Sequence, residues 1–348
     1  MHTGPVQSNA RISDRVVPDA WPWCMTGRGM LGLVSLALGL GCVVAAVPLL
    51  VYTTTLAVFG LPHVLMELDY LARRFGPRLD RPLVCTWGVL LLAVVVVRLL
   101  TVVGQAVPGG REVWELGLLI ALVTTVVPAL APASWGASAG AITVLVLLIL
   151  GWMLEPLTAL VLLAVLHNLT PIGFLAERLH GCHRQRVLRV CALVGGALPV
   201  LIASGWLHQA VAPPGLACEE LTFWPVGPLA AHLGVFVPAP VLDTAWAQPA
   251  FAAAVYLQCV HYFTVLYVLP RLAPATRQGT PGSSWSLSRT FVRRVVLIVG
   301  VLMLLGFVRA FAEVRAIYGL VAAVHAWIEI PLLLSIPALG PFPQEATA

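Results

Sequence analysis

The chain has 348 residues, 59% hydrophobic and 10% charged, with a mean hydropathy of +0.94 and a net charge of +5. A soluble domain carries about 25% charged residues, and a disordered chain combines low hydrophobicity with high charge, so both classes are excluded. The apolar runs are about 20 residues long and continuous rather than alternating, which excludes a β-barrel and predicts an all-α polytopic membrane protein.

Residues 1–29 are polar and are expected to form a loose tail ahead of a single helical domain over 30–339, with a second tail over 340–348. The apolar stretch from Leu31 to Leu71 is about 60 Å long as one helix, roughly twice the hydrocarbon thickness. It is expected to split near Tyr52–Thr55 into spans 31–51 and 54–72. One long helix kinked by Pro48, Gly60 or Pro62 is the alternative. Further spans are expected at 83–107, 113–132, 136–153, 156–176, 187–208, 249–270, 292–312 and 315–338, giving ten in all, or nine if the first stretch is single.

Arginines follow the second span (Arg73, Arg74, Arg78, Arg81), the sixth (Arg178, Arg184, Arg186, Arg189) and the eighth (Arg271, Arg277, Arg289, Arg293, Arg294). The positive-inside rule puts these loops on the cytoplasmic side, and a bacterial inner membrane is the expected location. The loop 209–248 has acidic residues and no arginine, so it is expected outside. Its apolar patch Leu229–Val237 suggests an interfacial lid or re-entrant segment, with a plain surface loop as the alternative. No cleavable signal peptide is expected.

The chain has no lysine, which excludes retinal and pyridoxal Schiff bases and a P-loop. Its arginines sit beside apolar runs, so membrane lipids rather than nucleic acid are the expected contacts. The seven cysteines form no CxxC pair. Arg98 lies in mid-span and needs a partner. Arg309 and Glu313, four apart, are expected to pair on one helix. Trp152, Phe174, Tyr262 and Trp327 can line an apolar tunnel or belong to the interfacial belt.

Of nine histidines, His2, His180, His183, His208 and His232 fall in tails, loops or span ends. His63, His167, His261 and His325 each lie inside an apolar span. All four of those spans run in one direction, so the imidazoles are expected at one depth. Polar groups in a span mark a functional site by default, and four at one depth point to a metal site. Glu67 follows His63 by four residues and Glu329 follows His325 by four, which places each carboxylate on its histidine's helix face. Each can bind the metal, orient an imidazole or move protons. Cys259, two residues before His261, points elsewhere. The His180-Gly181-Cys182-His183 cluster is a weaker metal candidate.

The words Gly60-Leu61-Pro62-His63, His167-Asn168-Leu169-Thr170-Pro171, His261-Tyr262 and His325-Ala326-Trp327-Ile328-Glu329-Ile330-Pro331 resemble those of the Brp/Blh family of membrane β-carotene 15,15′-dioxygenases. Gly60 to His63 matches the start of that family's GLPHGALD-type motif, and Glu67 stands where its aspartate would be. The other three histidines take the remaining places by order and span context. Val64-Leu65 replaces Gly-Ala, Asn168 replaces a Phe-Gly context, and His325 follows Val324 rather than proline. The resemblance implies an all-helical fold, Fe(2+) on His63, His167, His261 and His325, and oxidative cleavage of a long apolar, carotenoid-like substrate.

Three functions are therefore compared: a non-haem iron membrane oxygenase with a lipid-soluble substrate, an electron-transfer or sensing protein with haem b, and a transporter or structural protein without metal. One histidine per span at a single depth favours one metal over two stacked haems.

Overall fold

The computed structural model describes residues 27–130, 135–179, 181–211, 221–272 and 289–339, and every regular element among them is helical. Both expected tails up to 26 and from 340, together with His180, Glu219, Glu220 and Arg277, lie outside the described residues. Ten helices are long and apolar enough to cross a membrane. Numbered as spans 1 to 10, they are Arg28–Ala46, Pro48–Arg78, Arg81–Val102, Arg111–Leu130, Trp135–Leu154, Pro156–Arg178, Gly181–Ala203, Ala247–Leu272, Thr290–Arg309 and Phe311–Ser335. The chain is an all-α polytopic bundle.

The first apolar stretch divides, but at Val47 instead of Tyr52–Thr55. Val47 (φ −137°, ψ 61°) leaves the helical region for one residue, and Pro48 opens the next helix. The Val47 N–H still closes span 1 on the Val43 carbonyl (2.9 Å), and its carbonyl accepts from the Val51 N–H (3.1 Å). Proline suits this first position because it has no N–H to satisfy. Glu155 (φ −152°, ψ 81°) and Ala310 (φ −151°, ψ 73°) make the same one-residue junctions between spans 5 and 6 and between spans 9 and 10. The facing helices approach closely there. A Cβ on Gly151 would meet the Ala159 Cβ at 2.7 Å, and one on Gly306 would meet Val314 at 3.1 Å. Because Ala310 breaks the helix, Arg309 and Glu313 sit on successive spans, and no ion pair joins them among the described residues.

Spans 2, 8, 6 and 10 form an inner ring, each packing on the next and span 10 returning to span 2. Spans 1 and 7 pack on span 8, span 9 packs on spans 2 and 10, and spans 3, 4 and 5 cover spans 6 and 10. Arginines clasp the ring at the end carrying the basic loops. Arg74 pairs with Glu177 (2.6 Å), Arg78 donates to the Leu339 carbonyl (2.9 Å), and Arg178 donates to the Leu272 carbonyl (2.8 Å). These bonds link the ends of spans 2, 6, 8 and 10. The mid-span Arg98 finds its partner in the fully buried Glu115 of span 4. It also donates to the Gly319 carbonyl (2.8 Å), while Trp327 donates to Glu115 (2.7 Å), so the pair holds span 10 at two points.

At the other end, the described part of the outer loop docks on the ring. Leu229, His232 and Val237 are buried there. His232 Nε2–H donates to the Val226 carbonyl (3.0 Å), and its Nδ1 accepts from Arg315 of span 10 (2.9 Å). The ring packs edge-on against Tyr52 and Phe311. The loop is thus a fixed cap over spans 2 and 10 with only two short helical turns, Ala230–Leu233 and Ala239–Val241, and no re-entrant helix among its described residues. Of the four aromatics that can line a tunnel or join the interfacial belt, Trp152 is exposed, Phe174 packs in the core with Tyr70 and Phe75, Trp327 serves Glu115, and Tyr262 lies against His63.

Glu115→Ala leaves Arg98 without its counter-charge, which costs about 3 kcal/mol, the low end for a buried pair because Arg98 keeps 22% exposure. A lower thermal midpoint in detergent, partly restored by adding Arg98→Met, is the expected reading. Burial, reinforced by Arg315, holds His232 below its ordinary value of 6.5. The undocked loop therefore takes up a proton first, so docking is full above about pH 6.5 and weakens as pH falls below it. Protection across 229–237, corrected for the intrinsic pH dependence of amide exchange, should be lower at about pH 5 than at about pH 7.5, and His232→Gln should remove that difference.

Candidate metal centre

The four histidines predicted from the sequence come together inside the inner ring. His63 of span 2, His261 of span 8, His167 of span 6 and His325 of span 10 follow one another around a square. Their ring centroids are 5.2, 4.7, 4.7 and 5.0 Å apart along its sides, and His261 and His325 lie 6.3 Å apart across a diagonal. All four are buried, as are Glu67 and Glu329. Apolar cores lie to either side, one around Phe75, Leu119 and Phe174, the other around Tyr52, Phe251 and Phe307.

The two carboxylates take different places, which spacing alone left open. Glu67 faces into the square, with Oε2 3.2 Å from His261 Nε2 and 4.0 Å from His325 Nε2. Glu329 stands behind His167, with Oε2 2.8 Å from Nδ1. His63 Nδ1–H donates to the Phe59 carbonyl one turn earlier (3.1 Å), which leaves the Nε2 lone pair free. Orientation of a ligand imidazole through its second nitrogen by a carbonyl or carboxylate is the usual arrangement around a protein-bound metal.

The local sequence builds this geometry. Pro171 has no N–H to give the His167 carbonyl, and Thr170 Oγ1 donates to that carbonyl instead (2.6 Å). The same hydroxyl lies 2.5 Å from Glu329 Oε2, tying the carboxylate to the break in span 6. Asn168 covers the carbonyls of Ala164 and Val165 (both 3.1 Å). Tyr262 lies over His63 with centroids 4.1 Å apart. The signal for Thr170's role is its place between His167 and Pro171, which carries no metal-ligand pattern of its own. Tyr262's partner depends on the packing of spans 2 and 8 and carries no local signal.

The donors form two overlapping groups, each able to hold a metal ion. His167 Nε2 and His325 Nε2 are 3.1 Å apart. Two ligands at about 2.0–2.1 Å from one ion lie about 2.9–3.4 Å apart for angles of about 90–110°. His63, Glu67, His261 and His325 each offer an atom within 4.8 Å of the others, and His167, His325 and Glu329 form a second such group sharing His325. Beyond the His167–Glu329 and His261–Glu67 contacts, Glu67 Oε1, Glu329 Oε1 and Nδ1 of His261 and His325 are buried without a hydrogen bond. Buried polar groups left in that state need a further partner, and a cation supplies one. Cys259 does not join the site. It lines a groove on the opposite side of span 8. Among the described residues, Cys182 and His183 belong to no metal-binding group.

Comparison with protein-family models, curated proteins and solved structures found no match to this chain.

If Glu329 orients His167, Glu329→Gln should weaken metal binding about 10–100-fold, with Thr170→Val acting in the same direction. A chelator-competition titration reads this, and unchanged affinity in Glu329→Gln would assign that carboxylate a role outside the metal site.

Proposed function

We propose that this chain is a membrane oxygenase that uses one non-haem iron to act on a long apolar substrate. The observation that carries the reading is the convergence of four imidazoles and a carboxylate, from four separate spans, on one buried centre. Nitrogen and carboxylate donors of this kind suit ferrous iron with open positions, the ligand type of non-haem oxygenases. The resemblance of the four histidine words to membrane carotenoid dioxygenases supports the same chemistry and a carotenoid-like substrate. Ring centroids 4.7–5.2 Å apart around the square favour a single ion over a haem b, whose macrocycle needs a slab of space between facing rings.

In this reading, Fe(2+) supplies activation of dioxygen when bound. The residues of the chain do the rest. His63 and His167 are held by Phe59 and Glu329, so their Nε2 atoms face the centre. Glu67 neutralises charge between His261 and His325 and can hold a proton there. The apolar cores exclude water, and a lipid-soluble substrate enters from the bilayer. A bacterial cytoplasmic membrane, with the arginine loops inward, is the proposed setting.

Metal analysis with an absorption spectrum, on detergent-purified wild type beside His167→Ala and His261→Ala, tests this. About one iron per chain without a Soret band, lost in both variants, is expected. A Soret band would move the protein to the haem class. Absence of metal after iron-rich growth and anaerobic handling would favour a transporter or structural role.

A further inference from the structure

A second site lies on the flank of the bundle. A groove of about 240 Å³ opens between spans 1, 6, 7 and 8. Its walls are almost wholly apolar and include Leu33, Leu40, Leu175, Val190, Val260 and Phe263. Its polar groups gather at the end carrying the basic loops, where His183, Arg186 and Arg271 form the rim. No carboxylate lines it among the described residues, and the nearby Glu177 is engaged by Arg74 and Arg78. Among the described lining residues the one hydroxyl, on Thr264, is turned to the Val260 carbonyl (2.8 Å).

Two further features set this groove apart from an ordinary lipid-facing seam. Both π-helical segments of the chain's described residues, Leu193–Ala197 in span 7 and Thr264–Val268 in span 8, contribute to its walls through Val194, Gly195, Thr264 and Val268. Such segments widen a helix locally and concentrate at functional sites. The rim is also built rather than incidental. The Arg271 guanidinium lies 3.3 Å over the Tyr267 ring, with Nη1 donating to the Tyr267 carbonyl (2.7 Å), so it is fixed in place while its other N–H groups stay available. His183 Nδ1 is buried and has no hydrogen-bond partner.

We propose that this groove binds an anionic phospholipid from the leaflet on the arginine side. One acyl chain lies along the apolar walls, and the phosphate meets His183, Arg186 and Arg271. Basic pockets between spans on the cytoplasmic side are the places where anionic headgroups bind, and charge at the rim selects them over zwitterionic ones. A free anion would leave the apolar volume unused. The site is separate from the metal centre. Spans 6 and 8 contribute to both, but His261 and Tyr262 face the centre while Cys259, Val260, Phe263 and Thr264 face the groove.

Native mass spectrometry of the whole protein in micelles holding equal phosphatidylglycerol and phosphatidylcholine tests this. Wild type should retain phosphatidylglycerol about tenfold over phosphatidylcholine, and Arg186→Gln with Arg271→Gln should bring that ratio near one. Val190→Trp, which fills the groove, should release both lipids. Unchanged metal content in the arginine variant certifies its fold and separates this site from the centre. Three results would overturn the proposal: no preference in wild type, a preference that survives the arginine substitutions, or displacement of the lipid by inorganic phosphate at a concentration matched to the headgroup.

Discussion

A polar side chain inside the hydrocarbon region has no water to turn to, so its partner must come from the protein. That constraint organises this bundle. Four imidazoles and two carboxylates lie within apolar spans, and each unpartnered group there would cost several kcal/mol. They share one enclosed centre, and the four spans that carry them form the inner ring. The same constraint explains Arg98 and Glu115, which meet each other and also fix span 10 through Gly319 and Trp327, on either side of His325. At the basic end, Arg74, Arg78 and Arg178 tie the ring spans together.

The spans and the four histidines were legible in the sequence. Apolar length and arginine position report directly on the membrane, and a histidine in a leucine-rich run stands out. The junction at Glu155 fell between the expected spans 136–153 and 156–176, but those at Val47 and Ala310 were not legible. A turn is normally read from polar or glycine-rich segments, but Val47 and Ala310 reverse the chain with none. The expected break at Tyr52–Thr55 and the expected Arg309–Glu313 pair both failed for that reason. The carboxylate roles were half legible. Helical spacing put Glu67 and Glu329 beside their own histidines. Which neighbouring span each one serves depends on helix rotation: Glu67 reaches His261 and Glu329 reaches His167.

Span 8 shows how one helix serves two faces. His261 and Tyr262 look inward to the centre, and a π-helical segment begins at Thr264, just beyond them. The extra residue in that turn changes which side chains face outward, and the outward ones line the flanking groove. Span 6 is interrupted between His167 and Thr170 for a related reason. Pro171 removes one backbone bond, and the Thr170 hydroxyl, within reach of both the freed His167 carbonyl and Glu329 Oε2, ties that carboxylate to the break behind His167. Local departures from α-helix thus coincide with the places where chemistry is expected.

The central claim is that one ion is held by imidazoles from four spans. X-ray absorption at the iron edge, on protein loaded anaerobically with ferrous iron, tests it most directly. The account predicts nitrogen and oxygen scatterers at about 2.0–2.2 Å with the outer-shell pattern of three or four imidazoles, reduced by one in His167→Ala. A spectrum dominated by sulfur or porphyrin scattering, or one without imidazole features, would contradict it.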